Sequence, residues 1–258
     1  FGGGGLATAL EAAGRFPLKV PRSYVARMRR GDAGDPLLRQ VLPLGEELLE
    51  LPGFVPDPVG DLDALAGPGL LHKYSGRALI VTTGACAVHC RYCFRREFPY
   101  GEQQAGRQSF AAALESIRAD TSIREVLLSG GDPLTLSDRR LGDLVAALGR
   151  IDHVRRIRVH TRLPVVLPER IDAGFLRAWN AAPHLQRVMV IHANHANELR
   201  GAADVRAALA ALRKDGATLL NQSVLLRGVN DSVAALADLS EALFEHGVLP
   251  YYLHVLDP

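Results

Sequence analysis

Cys86, Cys90 and Cys93 are the only cysteines in a chain of 258 residues, and all three lie in the stretch "CAVHCRYCFRREF", residues 86–98. Three cysteines scattered at random over such a chain take this spacing roughly once in ten thousand times. The residue type points to soft-metal chemistry. Structural zinc takes four nitrogen or sulfur ligands, and His89 or His72 could supply a fourth beside the thiolates. Iron–sulfur clusters usually take four cysteines as well. A set of three leaves one metal position open, and open positions are where substrates bind. A zinc knuckle and three reduced core thiols remain the plainer readings of the residues alone. An odd number of cysteines in one loop makes a poor secreted disulfide framework and fits a reducing cytoplasm better.

A second stretch, "SGGDP" from Ser129 to Pro133, follows an apolar run. Paired glycines let a backbone approach a ligand closely, although the same letters also make an ordinary tight turn. Other polar groups recur at comparable places: "HTR" (160–162), "HANHAN" (192–197) and "NQS" (221–223) each close or interrupt an apolar run.

The elements that must position these groups can be read from periodicity. Strands are expected at Ala78–Thr82, Glu125–Leu128, Arg156–His160, Arg187–Ile191, Thr218–Leu225 and Leu249–Val255. Helices are expected between them at Ser109–Ala119, Ser137–Leu148, Pro168–Asn180, Ala203–Lys214 and Ser232–Glu245, with apolar residues such as Leu141, Leu144, Val145 and Leu148 at helical spacing. Strands alternating with helices predict βα units around a parallel sheet, either an open or partly closed barrel or a flat doubly wound sheet. In either form ligands gather at the carboxyl ends of the strands, which is where the polar stretches fall. Residues 1–72 are rich in Pro and Gly and read as an N-terminal extension. Short helical patches are expected there at Leu6–Ala13, Ser23–Arg30 and Gly45–Leu51, followed by the irregular wrapping segment "LPGFVPDPVGDLDALAGPG".

Composition narrows the function classes. The chain is 48% hydrophobic and 22% charged with a net charge of +2, so charge alone implies neither a nucleic-acid partner nor an anionic membrane. No apolar run reaches the roughly 18–20 residues of a membrane span. Lysine is scarce, at Lys19, Lys73 and Lys214 only. The chain opens on Phe1 and stops straight after an apolar run, so further segments are expected outside it.

With these residues in view, a family resemblance can be stated. Cys86, Cys90 and Cys93 resemble the C-x3-C-x2-C signature of the radical S-adenosylmethionine enzymes. "LHKYSGRALI", "CRYCFRREFPY", "VLLSGGDPL", "RLPVVLP", "NQSVLLRGVND" and "PYYLHVLD" resemble, in order, the lysine 2,3-aminomutase group. The upstream segments "VPRSYVARM" and "DPLLRQVLP" are most similar to the branch that makes β-lysine for elongation factor P.

The resemblance implies a partial (βα)6 TIM-like barrel over residues 73–258, preceded by the mostly helical or irregular extension of residues 1–72. It implies a 4Fe–4S cluster on the three cysteines, with S-adenosylmethionine on the open iron, and pyridoxal phosphate as a further cofactor. The reaction implied is conversion of α-lysine to β-lysine. Tyr92 would pack against the adenine. Ser129, Gly130, Gly131 and Asp132 would meet the methionine part of S-adenosylmethionine. Arg95 would grip the substrate carboxylate, and Asp257 would receive the far amino group of lysine. Tyr74 and Arg77 would lie near the pyridoxal phosphate, and His192 and Gln222 around the two cofactors.

The family's Schiff-base lysine is expected beyond Pro258, since Lys19 and Lys214 are unsuitably placed and Lys73 matches a basic neighbour of the cofactor. Implied partners are lysine as a small-molecule substrate, an electron-donor protein and a ligase acting on elongation factor P, with no nucleic acid and no membrane. Two rivals stand beside this reading: a lysine 2,3-aminomutase of lysine breakdown or osmolyte synthesis, and a non-catalytic cluster- or zinc-binding module.

Overall fold

Alternating β-branched runs and amphipathic helices build one layered sheet in the computed structural model, which describes residues 3–49, 52–103 and 110–255. The strands are β1 (Leu65–Gly67), β2 (Leu70–Tyr74), β3 (Arg77–Thr83), β4 (Glu125–Gly130), β5 (Arg156–Thr161), β6 (Gln186–His192), β7 (Thr218–Val224) and β8 (Leu249–His254). The helices are α1 (Gly3–Arg15), α2 (Arg22–Val25), α3 (Tyr100–Gln103), α4 (Ala111–Ala119), α5 (Asp138–Gly149), α6 (Leu163–Val166), α7 (Ala173–Trp179), α8 (Ala203–Lys214) and α9 (Val233–Glu245).

The strands lie side by side in chain order, β1 to β8. β1, β2 and β3 pair antiparallel, and each pair from β3 to β8 is parallel. A doubly wound sheet reverses its strand order about a switch point. Here every parallel strand is added to the same edge, which is the winding of a barrel. Among the described residues β1 and β8 do not pair, so the six parallel strands form an open, partial barrel.

Each of the six strands expected from the apolar runs is present, within a few residues at its ends. The helix expected at 168–180 divides into a 3-10 turn, Pro168–Arg170, and then α7. The break falls at Asp172, whose carboxylate accepts Phe175 N at 2.8 Å and so starts a new helix. The patch at 23–30 shortens to α2 because Arg29 N turns away to Asp35 Oδ2, at 3.0 Å. In the patch at 45–51 Gly45–Leu48 forms one 3-10 turn, and residues 50 and 51 lie outside the described residues. The wrapping segment ends in β1, joined to β2 through Gly69 at φ +67°. Strand β2 runs across residue 72, so this hairpin extends the sheet itself.

Period-two alternation divides the two faces of the sheet. Ile80, Val126, Leu128, Ile157, Val159, Met189, Ile191 and Leu219 face the helices and form one core with Leu141, Leu144, Phe175, Trp179 and Leu209. Their neighbours in sequence, among them Ser129, Arg158, His160, His192 and Gln222, therefore face the concave side. The extension adds a smaller cluster, in which Tyr24, Leu37 and Val41 pack on Val88 and Val166, with Cys90 at its margin.

The carboxyl ends of β3, β4 and β5 are tied together by Asp132, which is 5% exposed. Asp132 N donates to Ala85 O at 2.8 Å. Its carboxylate accepts Leu134 N at 3.0 Å, Thr161 Oγ1 at 2.7 and 2.9 Å, and Arg162 N at 2.8 Å. Burial pushes this carboxyl up to about 6, against the pull of those hydrogen bonds. Asp132→Ala strands three donors in the core and should cost about 3 kcal/mol or more in urea unfolding; a loss below about 1 kcal/mol would contradict the bracing role.

The pH dependence follows from the raised value. Between about pH 4 and pH 6 the folded protein keeps a proton that the unfolded chain has released. This group's contribution to stability therefore falls as pH rises through that window and is level above it. Asp132→Asn, which does not titrate, should remove that part of the slope when unfolding is measured across the same range.

Candidate functional site

The cysteine loop leaves β3 at Thr83, and the "SGGD" turn leaves β4 beside it. Gly131 N donates to Thr83 O at 2.6 Å. A Cβ on Gly130 would lie 2.5 Å from Thr83 O, and one on Gly131 would overlap the backbone of Gly84 and Ala85. Gly130 also has φ +128°, which disfavours any L side chain. The glycines are thus required by a close approach of two backbones, one of which carries the cysteines. Gly130→Ala should lose about 2 kcal/mol or more of stability through strain and overlap, read by urea unfolding; an unchanged midpoint would show that the approach is not needed.

Cys86, Cys90 and Cys93 are all free and partly buried. Burial pushes the Cys86 thiol up, with Asp132 and the other two cysteines adding to the effect, and it raises Cys93 to about 11. These thiols are neutral unless a cation compensates them. Metal coordination deprotonates a thiol outright, so the loop suits a metal centre that supplies the missing positive charge. Among the described residues no three His, Cys, Asp or Glu side chains converge on one ion.

Tyr92, between the second and third cysteines, sets its ring edge-on to His192 with centroids 5.3 Å apart, and its hydroxyl lies 3.4 Å from Gln40 Oε1. His192, at the end of β6, is held well below its ordinary pKa by burial and by Arg162, His254 and His160, so its ring is neutral. Gln222 on β7 accepts from His160 Nδ1 at 3.0 Å, and burial brings His160 down to about 4. The Nε2 atoms of both histidines are buried without a hydrogen-bond partner. Buried polar atoms are seldom left so, which marks the concave face as a place that receives polar groups.

Arg95, two residues past Cys93, is 7% exposed. Its Nε donates to Asp61 Oδ2 at 2.7 Å and its Nη1 to Ser129 Oγ at 2.8 Å. These bonds use two of the five guanidinium donors and fix its plane. The rest can take a carboxylate. Asp61 comes from the wrapping segment and lacks any local motif, so nothing around it in the chain marks this contact.

At the opposite end of the concave face Arg77, Arg156 and Arg158 gather round Glu125, at 3.9, 3.8 and 2.8 Å. Three cations on one carboxylate leave an excess of positive charge suited to an anion such as phosphate. Tyr74 on β2 lies beside this group, its ring centroid 6.0 Å from the Arg77 guanidinium carbon. The parity of "RIRVHT" on β5 was the available signal for Arg156, Arg158 and His160: three basic residues at alternate positions face one side. Asp257 lies outside the described residues.

The structure thus brings Cys86, Cys90, Cys93, Tyr92, Ser129, Gly130, Gly131, Asp132, Arg95 and His192 to the carboxyl end of the sheet, with Gln222 and His160 deeper on the concave face. Tyr74 and Arg77 belong to its far end. The family model of the radical SAM superfamily matches residues 80–239, from β3 into α9. The chain is 50% identical to the L-lysine 2,3-aminomutase of Escherichia coli (strain K12), over 94% of this chain and 70% of that protein. The chain belongs to the lysine 2,3-aminomutase family of radical SAM proteins.

Two further members of this family extend the likeness. The Haemophilus influenzae L-lysine 2,3-aminomutase is 46% identical over 94% of this chain and 71% of its own length. That of Clostridium subterminale is 36% identical over 91% of this chain and 56% of its own length. Among the described residues no helix is long and apolar enough to cross a membrane.

Proposed function

We propose that this protein is a radical isomerase that moves the amino group of α-lysine from carbon 2 to carbon 3, giving β-lysine. The observation that carries the reading is the juxtaposition, in one partial barrel, of the three-thiol loop, Arg95 just beyond it and the arginine cluster at the far end. Cys86, Cys90 and Cys93 would hold the 4Fe–4S cluster, and Tyr92 with the turn Ser129-Gly130-Gly131-Asp132 would seat S-adenosylmethionine. Two of those roles act through backbone: the Asp132 carboxylate is spent on bracing, which leaves the peptide groups of the glycines to meet a ligand.

Pyridoxal phosphate fits the concave face between these ends. Arg77, with Arg156, Arg158 and Tyr74 around it, would take its phosphate, and the unpartnered nitrogens of His160 and His192 face the space above. Bound there, the pyridine ring supplies a sink for the unpaired electron during migration. Lys73, beside Tyr74, donates to Val59 O, and Lys214 ends α8 on the helix side of the sheet. Arg95 would orient the substrate through its carboxylate, and Asp257 would take the distal ammonium.

Anaerobic reconstitution of the full-length protein should give about four irons per chain, and 5′-deoxyadenosine and β-lysine should form once reductant and S-adenosylmethionine are added. One zinc and no iron would overturn the reading in favour of a binding module. Arg95→Lys loses the planar, bidentate fork, a charge-assisted contact worth about 1.5–3 kcal/mol. Its KM for lysine should rise roughly 10- to 100-fold by the same conversion, with iron content retained; an unchanged KM would remove Arg95 from the carboxylate site.

The product is proposed to serve a ligase that modifies elongation factor P, with a separate protein donating the electron and the work done in the cytoplasm. Support for this branch is the likeness of "VPRSYVARM", "DPLLRQVLP" and the residues after Cys93. Elongation factor P from a deletion strain should lack the β-lysyl mass. Unmodified mass in the parent as well, or no change on deletion, would assign the enzyme to lysine breakdown or osmolyte synthesis instead.

A further inference from the structure

Arg162 follows β5 and is 4% exposed, yet its guanidinium is shared among four acceptors. Nη1 donates to Cys90 Sγ at 2.9 Å. Nη2 lies 3.0 Å from Tyr24 Oη, 2.6 Å from Gln40 Oε1 and 2.9 Å from Glu198 Oε2. The guanidinium carbon sits between two rings, 5.3 Å from that of Tyr24 and 5.6 Å from that of Tyr92. Glu198, fully buried, accepts in turn from Gln40 Nε2 at 3.0 Å, Asn194 N at 2.8 Å and His195 N at 3.1 Å. Tyr24 and Gln40 come from the N-terminal extension, Glu198 from the turn after β6, and Cys90 from the metal loop. One buried cation therefore joins three separate parts of the chain to a single cysteine sulfur.

The three sulfurs are not treated alike. Cys93 receives the backbone N–H of Arg95, a neutral donor, whereas Cys90 receives a charged one. We propose that Arg162 is a positioning residue that sets the reduction potential of the cluster through Cys90, with Glu198 adjusting how much of its charge the cluster feels. This rests on the cluster reading given above. Reduction adds one negative charge to the cluster, and an N–H donor and a fixed cation at a ligating sulfur stabilise the reduced form more than the oxidised form. Burial strengthens the effect, because little water stands by to screen it. Glu198 opposes it from the other side of the same guanidinium.

The signs of the consequences are opposite, which separates this role from mere support of the loop. Full-length protein is reconstituted anaerobically, and the EPR signal of its reduced cluster is followed in a redox titration without S-adenosylmethionine. Arg162→Gln removes the cation and should shift the midpoint to more negative potential. Arg162→Lys keeps the charge but misplaces the donor, so it should shift less in the same direction. Glu198→Gln keeps Arg162 and removes the opposing charge, and its midpoint should move to more positive potential. The Arg162→Gln/Glu198→Gln double variant should return toward the parent.

Midpoints that stay put in Arg162→Lys and Glu198→Gln, or that move the same way, would overturn the proposal. They would leave Arg162 a structural brace that changes only how much iron is retained. Should Arg162→Gln hold no cluster, the Lys and Glu198→Gln variants decide alone. Iron content of the parent protein is a separate readout: its absence removes the cluster reading itself, whereas a normal content with unmoved potentials removes only the role given to Arg162.

Discussion

The buried carboxylate of Asp132 is the constraint on which the carboxyl end of this sheet depends. It receives donors from its own turn and from β5, while its amide bonds the backbone that leads into the cysteines. A barrel cut open along one side has no closing pair of strands to hold its ends in register. The work of closure falls to such local ties at the rim. Because Gly130 and Gly131 let the two backbones touch, the tie acts at the place where the metal loop begins. The same stretch therefore cannot be judged by its side chains alone: the acidic residue that resembles a ligand is engaged in structure.

Charge is distributed along the concave face with equal consequence. At both ends of the face guanidinium groups share carboxylates, half-exposed at one end and buried at the other. At the lower end Arg77, Arg156 and Arg158 share Glu125. At the upper end Arg95 has Asp61, and Arg162 has Glu198 together with a cysteine. Four residues separate Glu125 from Ser129 on β4, about 13 Å of strand. An elongated ligand carrying phosphate at one end and a carboxylate at the other would meet a guanidinium at each. The neutral imidazoles of His160 and His192 lie toward the carboxyl end, and between them and Glu125 the face carries Arg158 beside the apolar cluster of Val188, Val190 and Leu220.

How far the sequence anticipated this can be judged from particular residues. The six parallel strands were legible because Val, Ile and Leu recur in short runs between helices with clear periodicity. The order of those strands was not, since local pattern is the same for a barrel and a doubly wound sheet; only the register of neighbours separates them. The hairpin of β1 and β2 escaped notice because "LAG" has no strand propensity of its own and is held by pairing with β2. In the site, the cysteines and "SGGD" stood out by rarity and position. Asp61, Gln40 and Glu198 did not. Each is an ordinary polar residue in its local context, and its role comes from a partner far along the chain.

That last group changes the meaning of the N-terminal extension. A Pro- and Gly-rich segment with short helices reads as covering material, and much of its contact is indeed apolar, through Tyr24, Leu37 and Val41. Yet Tyr24 and Gln40 reach Arg162, Asp61 reaches Arg95, and Glu47 pairs with Arg91 and Arg96 on either side of Cys93. Every arginine of the metal loop, and Arg162 just after β5, is thus oriented by a residue that lies before β1 in sequence. Removing the extension would leave those guanidinium groups charged and short of the acceptors it supplies, and breaking a buried ion pair by taking away one partner is costly. The extension and the loop must therefore fold as one unit, and the geometry of the thiols is set by both.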